Sequence, residues 1–163
     1  MGMNLSLSRL YARSRQGTRA YSIKPFYPGE HVTLIGAMAL SGFLGGMTLD
    51  GGTNGQAFRV FVEKILVPAI WSGACVVMDN LPAHKVQGIR ELIESAGARV
   101  IYLSPYSPDF NPIENCWSKL KQYLRSVAAR SRDLLESAVS LGLDLISSAD
   151  IRNWFAHCCY CTL

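Results

Sequence analysis

No acidic residue precedes Glu30, and no apolar stretch approaches the roughly 20 residues a membrane-spanning helix needs. The N-terminus also lacks an apolar core followed by a small-residue cleavage site, so nothing in it reads as a secretory leader. Internal repeats and low-complexity linkers are absent too. These absences predict a cytoplasmic protein with no membrane partner. Five cysteines, an odd number in 163 residues, argue against a disulfide framework. Cys75 and Cys116 fall inside element-like stretches, where buried, reduced thiols are expected. A zinc site at the "HCCYC" tail, His157 to Cys161, would need a second ligand cluster that the sequence does not supply. No serine or cysteine sits in a nucleophile-elbow context, which leaves His84 and His157 without a nucleophile to activate as hydrolase bases.

What the chain does contain is a globular balance of 49% hydrophobic and 17% charged residues, enough for one domain with a real core. The net charge of +4 is unevenly spread. Arg9, Arg13, Arg15, Arg19 and Lys24 all precede the first acid, and Lys119, Lys121, Arg125, Arg130 and Arg132 lie between Glu114 and Asp133 with no acid among them. Two such segments favour a polyanionic partner; two solvated faces are the plainer alternative.

The hydrophobic pattern predicts a hairpin of strands over 32–40 and 43–50, turning at Ser41 and Gly42. Asn54 caps a helix whose apolar positions Ala57, Phe58, Phe61, Val62, Ile65 and Leu66 recur at helical spacing before Pro68. Residues 74–79, "ACVVMD", and 98–104, "ARVIYLS", are short apolar runs of the buried-strand type. Between them a helix presents Val86, Ile89, Leu92, Ile93 and Ala96 and ends at Gly97. A further helix runs from Pro112 to about Val127, followed by helical stretches near 131–147 and 150–157. The order predicts an α/β sandwich with a mixed sheet.

Asp79 ends a buried strand, and in open α/β sheets ligands gather at the carboxyl ends of strands. Glu114 follows the next strand, after the proline-rich "YSPDFNPIEN". One reading of Glu114 is local: Asn111 as N-cap, Pro112 at the first helical position and Glu114 three residues past the cap form a capping-box pattern. Asp79 likewise has a local reading, an Asp-Asn turn before Pro82. The alternative is that both carboxylates meet and hold a hard divalent cation, with Mg²⁺ preferred, in a site for in-line phosphoryl displacement. On the helix after Glu114, Ile113, Trp117, Leu120, Leu124 and Val127 form the apolar stripe. Ser118, Lys121 and Arg125 fall near the angular position of Glu114, where phosphate contacts would fit.

Together "VVMDNLPAHK", "YLSPYSPDFNPIENCWSKLK" and "WFAHCCY" resemble the DDE endonuclease domain of insertion-sequence transposases in the mariner superfamily. The 34 residues between Asp79 and Glu114 agree with that group. The resemblance covers essentially the whole chain, 1–163, as one catalytic domain with a core at about 32–127 and C-terminal helices at 131–163. It implies an RNase H-like mixed sheet flanked by helices, and Mg²⁺, or Mn²⁺ in its place, held by three carboxylates. The implied activity is hydrolysis of DNA at transposon ends and joining of the freed 3′ hydroxyl to a target. Asp79 matches the second acid and Glu114 the third. Asn80, His84, Asn111 and Pro112 match signature positions. DNA contacts are expected from Lys85, Lys119, Lys121, Arg125, Arg13, Arg15 and Arg19.

The chain departs from the family pattern at its start. The first Asp of the family lies on the first, central strand, and by alignment to "MGMNLSLSRLYARSRQG" it would fall just before Met1. Glu30, Asp50 and Glu63, the acids upstream of Asp79, have the wrong place in the topology. The resemblance therefore implies a domain lacking its first strand and inactive alone, working as a homodimer or completed by an upstream fragment, in the nucleoid of a bacterial host. The competing reading is a non-catalytic DNA-binding or dimerising remnant.

Overall fold

The computed structural model describes residues 1–160. Its first strand, β1 (Gly2–Asn4), lies antiparallel to β2 (His31–Ala39), with Gly2 opposite Thr33 and Asn4 opposite His31. No strand was expected ahead of residue 32, because three residues are too short to carry an alternating pattern. Between β1 and β2 the chain makes a long excursion of mostly exposed residues. β3 (Gly42–Asp50) pairs antiparallel with β2 as predicted, but the turn is Leu40 and Ser41, with a bulge at Ala37/Met38.

Asn54 caps α1 (Gly55–Phe61) by accepting from the Ala57 amide at 2.8 Å. The helix does not stop before Pro68. It widens into a π turn (Val62–Leu66), in which the Val67 amide reaches back to Val62 O, and continues as α2 (Val67–Ala69). Pro68 directly follows this widened turn, and a π turn beside a proline is where a helix absorbs the loss of one amide donor. Ile65 of the π turn is accommodated by Gly45 on β3, whose φ of 154° and lack of a Cβ are both needed there. A Cβ at Gly45 would stand 2.7 Å from Ile65 Cγ2.

β4 (Cys75–Met78) and β5 (Arg99–Tyr102) form a separate parallel pair, linked through α3 (Ile89–Ser95). They are less buried than the sequence suggested: Cys75, Arg99 and Ile101 are exposed. Only one face of the pair is covered, by α3 and the π turn, so alternate residues face outward. The long helix α4 spans Pro112–Val127, matching the expected bounds, and α5 (Arg132–Asp144) and α6 (Ser148–His157) pack against it.

The molecule has two apolar clusters divided by β2. Leu34 points with Val32 into a cluster built on Cys116, Trp117, Leu120 and Leu124 of α4 and Leu135, Ala138 and Val139 of α5. Ile35, on the opposite face of the strand, joins Phe58, Phe61, Val62, Ile89, Ile93 and Val100. Val127, expected in the α4 stripe, is instead exposed where the helix ends at Ala128 in the left-handed region. Burial pushes the Cys116 thiol up to about 12, consistent with a packing cysteine. Among the described residues no helix is long and apolar enough to cross a membrane.

Candidate active site

β4 delivers Asp79 to its C-terminal end, and the 3₁₀ turn Pro82–Lys85 folds His84 back onto it. His84 Nδ1 lies 2.5 Å from Asp79 Oδ1, an oxygen shut off from solvent. His84 is held from two further sides: its ring stacks on Phe58 with centroids 4.1 Å apart, and its backbone carbonyl accepts from Tyr102 Oη at 3.1 Å. Burial pushes the Asp79 carboxyl up, but this is outweighed by the hydrogen bond and charge of His84, the Leu81 amide and the Met1 ammonium. The net result is a carboxyl below its ordinary range. Beside it, Asn80 Oδ1 is buried without a hydrogen-bond partner.

Glu114 is exposed in the first turn of α4. The capping box that the sequence suggested does not form. Asn111 makes no side-chain cap bond, and its own amide already donates to Pro108 O at 2.9 Å in the 3₁₀ turn Pro108–Phe110. Glu114 therefore has no orphan donor to reach back for. Pro112, at the first helical position, is buried. The Glu114 side chain instead lines the same cavity as Asp79, about 700 Å³ in volume. The Met1 ammonium senses both. Burial lowers its pKa, Glu114 raises it, Lys121 lowers it and Asp79 raises it.

A carboxylate held ionised and a second carboxylate lining the same cavity make an oxygen donor pair. Such a set suits Mg²⁺ or Mn²⁺ better than zinc or copper. Among the described residues, no three His, Cys, Asp or Glu side chains converge. Glu30, Asp50 and Glu63 do not line this cavity: Arg132 holds Glu30 and Asp50, and Lys64 pairs with Glu63 at 2.9 Å. His157, Cys158 and Cys159 close α6, and Cys161 of the tail lies outside the described residues.

The expected DNA-facing cations divide into two groups. Lys121 is near enough to Met1 to depress its ammonium, and neither it nor Arg125 has a carboxylate within ion-pair reach among the described residues. Arg13, Arg15 and Arg19 are exposed on the excursion between β1 and β2. Lys85 sits 5.7 Å over the Tyr102 ring. Lys119, by contrast, spans to α6 and pairs with Asp150 at 2.6 Å. Two further basic residues of that segment are structural. Arg130 donates to the carbonyls of Leu5 and Leu7 at 2.8 and 2.9 Å, and Arg132 joins Asp50 to Glu136. Their partners lie far away in sequence, so no local pattern separates them from Lys121. Phe58 and Tyr102, which hold His84, were not singled out for the site either. An aromatic on an apolar helix face or strand carries no local mark of that role.

The Lys119 pair makes a checkable case. Lys119 first, then Ser147 through side chain and backbone, hold the Asp150 carboxyl down at about 2. Its contribution to stability is present above the ordinary carboxylate range and is lost as pH falls through about 2. Lys119→Ala should raise the Asp150 pKa, leaving the Ser147 bonds in place, and cost less than about 1 kcal/mol because the pair is solvated. A carboxyl-carbon NMR titration of both proteins measures the first effect and denaturant unfolding the second.

The family description "DDE superfamily endonuclease" matches residues 1–136. None of the curated proteins matches the chain. Among solved structures, the Mos1 transposase paired-end complex with left transposon end is 16% identical with a TM-score of 0.79, covering 96% of this chain and 49% of that one. The mariner Mos1 paired-end complex with Mg is 16% identical with a TM-score of 0.74, covering 97% and 51%. The Mos1 transposase catalytic domain with Raltegravir and Mg is 17% identical with a TM-score of 0.63, covering 80% and 73%. The chain thus spans about half the length of the full Mos1 chains it matches and shares their RNase H-like catalytic fold. With the family match running over most of its length, the chain belongs to the DDE superfamily endonucleases.

Proposed function

We propose that this chain is the catalytic domain of a mariner-type transposase, a single unit over 1–163, acting on DNA with a divalent metal held by Asp79 and Glu114. The observation that carries the reading is that Asp79 and Glu114, from separate elements, line one cavity that runs along β4 to its carboxyl end. When bound, Mg²⁺ or Mn²⁺ would stabilise charge on the oxygens of a phosphoryl displacement. The protein's own part is to keep Asp79 ionised and oriented through His84, and to receive phosphates on Lys121 and Arg125 and along the Arg13, Arg15 and Arg19 segment. The matched Mos1 structures include a complex with a transposon end and paired-end complexes with Mg and with Mn, which favours the same partners here.

Among the described residues two carboxylates are assigned to the cavity, and on this reading the chain by itself does not cleave DNA and acts as a homodimer or with a complementing fragment. It works at the DNA of a bacterial nucleoid. That Glu30, Asp50 and Glu63 are all engaged away from the cavity favours a second reading, a DNA-binding or dimerising remnant without metal. A Mn²⁺ titration by calorimetry, on the wild type and Glu114→Gln, with plasmid DNA binding and nicking in parallel, separates the readings. Metal binding weakened by Glu114→Gln, salt-sensitive DNA binding and no nicking is expected. Absence of metal binding leaves the remnant, and metal-dependent nicking by the chain alone overturns its inactivity.

A further inference from the structure

The excursion between β1 and β2, residues 5–30, forms no helix or strand, yet it exposes a run of large apolar side chains. Tyr11, Tyr21, Ile23 and Phe26 are each between 87% and 95% exposed, and Leu10 and Tyr27 are exposed beside them. A group of this kind contributes nothing to the core and marks a contact surface. Phe26 and Tyr27 meet edge to face at 5.0 Å, whereas Tyr11 and Tyr21 meet no other ring among the described residues.

Cations are interleaved with these rings. Arg9 and Arg13 stand two residues to either side of Tyr11, and Arg19 stands two residues before Tyr21, with Lys24 three after it. Among the described residues, none of these four nor Arg15 has a carboxylate within ion-pair reach. Two residues of chain reach about 7 Å at most, so each tyrosine has a cation close by. The tip of the arm is a built turn. The Thr18 amide and Oγ1 both donate to Arg15 O, at 3.0 and 2.7 Å, Ser14 Oγ donates to Thr18 O at 2.6 Å, and Gly17 takes a φ of 81°. At the base, Arg130 and the Leu5 amide fasten the arm to the domain. Fixed at tip and base, the arm presents its rings with part of the ordering cost of binding already met.

We propose that this arm binds single-stranded DNA, stacking unpaired bases on Tyr11 and Tyr21 while the neighbouring arginines hold the phosphates. The inference deepens the reading of the Arg13, Arg15 and Arg19 segment as a DNA contact and rests on it. A ring beside a cation is the complement of a nucleotide, which joins a flat base to a charged phosphate. Duplex DNA would satisfy the cations alone, because its grooves offer base edges rather than base faces. A lipid surface suits the composition but not the backbone. Outside any helix or ladder, the amides of the arm would lose water in a bilayer without gaining partners.

The test measures fluorescence anisotropy of a labelled oligo(dT) of about 12 nucleotides, and of a labelled duplex of the same length, against the whole chain in EDTA. Tyr11→Ala/Tyr21→Ala should weaken oligo(dT) binding at least about tenfold and leave the salt dependence and the duplex affinity unchanged. Tyr11→Phe/Tyr21→Phe should keep the wild-type affinity, since stacking needs the ring and not the hydroxyl. Arg13→Ala/Arg15→Ala should weaken both ligands and reduce the single-strand salt slope by about 1.4, two phosphates' worth. All three variants should melt with the wild type, because these side chains face solvent. Oligo(dT) affinity unaltered by the alanine pair at Tyr11 and Tyr21, or lost equally for the duplex, overturns the proposal and leaves the metal reading of Asp79 and Glu114 standing. Loss of self-association by that same variant in sedimentation without DNA also overturns it, because the rings then bury against a second copy of this chain. With EDTA present the outcome is independent of the Mn²⁺ titration, which tests the other reading.

Discussion

Asp79→Asn is expected to weaken Mn²⁺ binding by more than about 100-fold, the upper end of what loss of a group that merely supports a ligand costs a metal site. Asparagine keeps the size and one oxygen but removes the charge, and it is the charge that the surroundings maintain: His84, the Leu81 amide and the Met1 ammonium all favour the ionised form. An aspartate is ionised at neutral pH in any case, and the lowered carboxyl keeps Asp79 ready to bind metal into more acidic solution. His84→Ala should fall within about 10-fold to 100-fold, since it loosens Asp79 without touching the metal. Calorimetric titration reads both, with melting curves to show that the variants are folded. An Asp79→Asn affinity within threefold of wild type would remove Asp79 from the site and with it the proposed chemistry.

The second large effect concerns the seam between α4 and α5. Gly142 faces α4 so closely that a Cβ there would stand 2.5 Å from Leu120 Cδ1 and 2.8 Å from Tyr123 Cδ1. Alanine in place of glycine in a helix interior favours folding by about 1 kcal/mol. Overpacking a filled core costs about 1–3 kcal/mol. With Leu120 and Leu124 each only 1% exposed, the neighbours have little room to give, so Gly142→Ala should be destabilising. Leu120→Ala alone should cost about 2–5 kcal/mol through the cavity it leaves. The double variant should be more stable than the sum of the two losses implies, because the new methyl enters the space that Leu120 vacates. Urea unfolding of the four proteins gives the coupling. Additive losses would mean that the helices simply move apart.

Local chemistry made much of this structure legible. The Asn54 cap, the apolar face of α4 and its bounds at Pro112 and Val127, and the hairpin of β2 and β3 all follow from nearest-neighbour rules. Asp79 and Glu114 were legible as candidates because strand ends and helix starts are where such groups are useful. What stayed hidden depends on distant partners. Whether Glu114 caps its own helix turned on Pro108 O having already taken the Asn111 amide. Arg130 and Arg132 read like Lys121 until their contacts to Leu5, Leu7 and Asp50 are seen. β1 escaped notice because it is defined by β2 rather than by its own residues. The widening at Val62–Leu66, with Pro68 just beyond it, defeats a rule that treats every proline as a stop.

The excursion between β1 and β2 carries Arg9, Arg13, Arg15, Arg19 and Lys24 on backbone with few internal hydrogen bonds, anchored at its base by Arg130 and by the Leu5 amide on Pro28 O. A protease that cuts after basic residues meets its easiest substrate there, and loop cleavage costs the domain little of its packed interior. The resulting nick would leave β1 on a short peptide, retained by its ladder with β2 and by the guanidinium clamp. Loss of that peptide, more than the cut itself, would expose the edge of β2 from His31 onward.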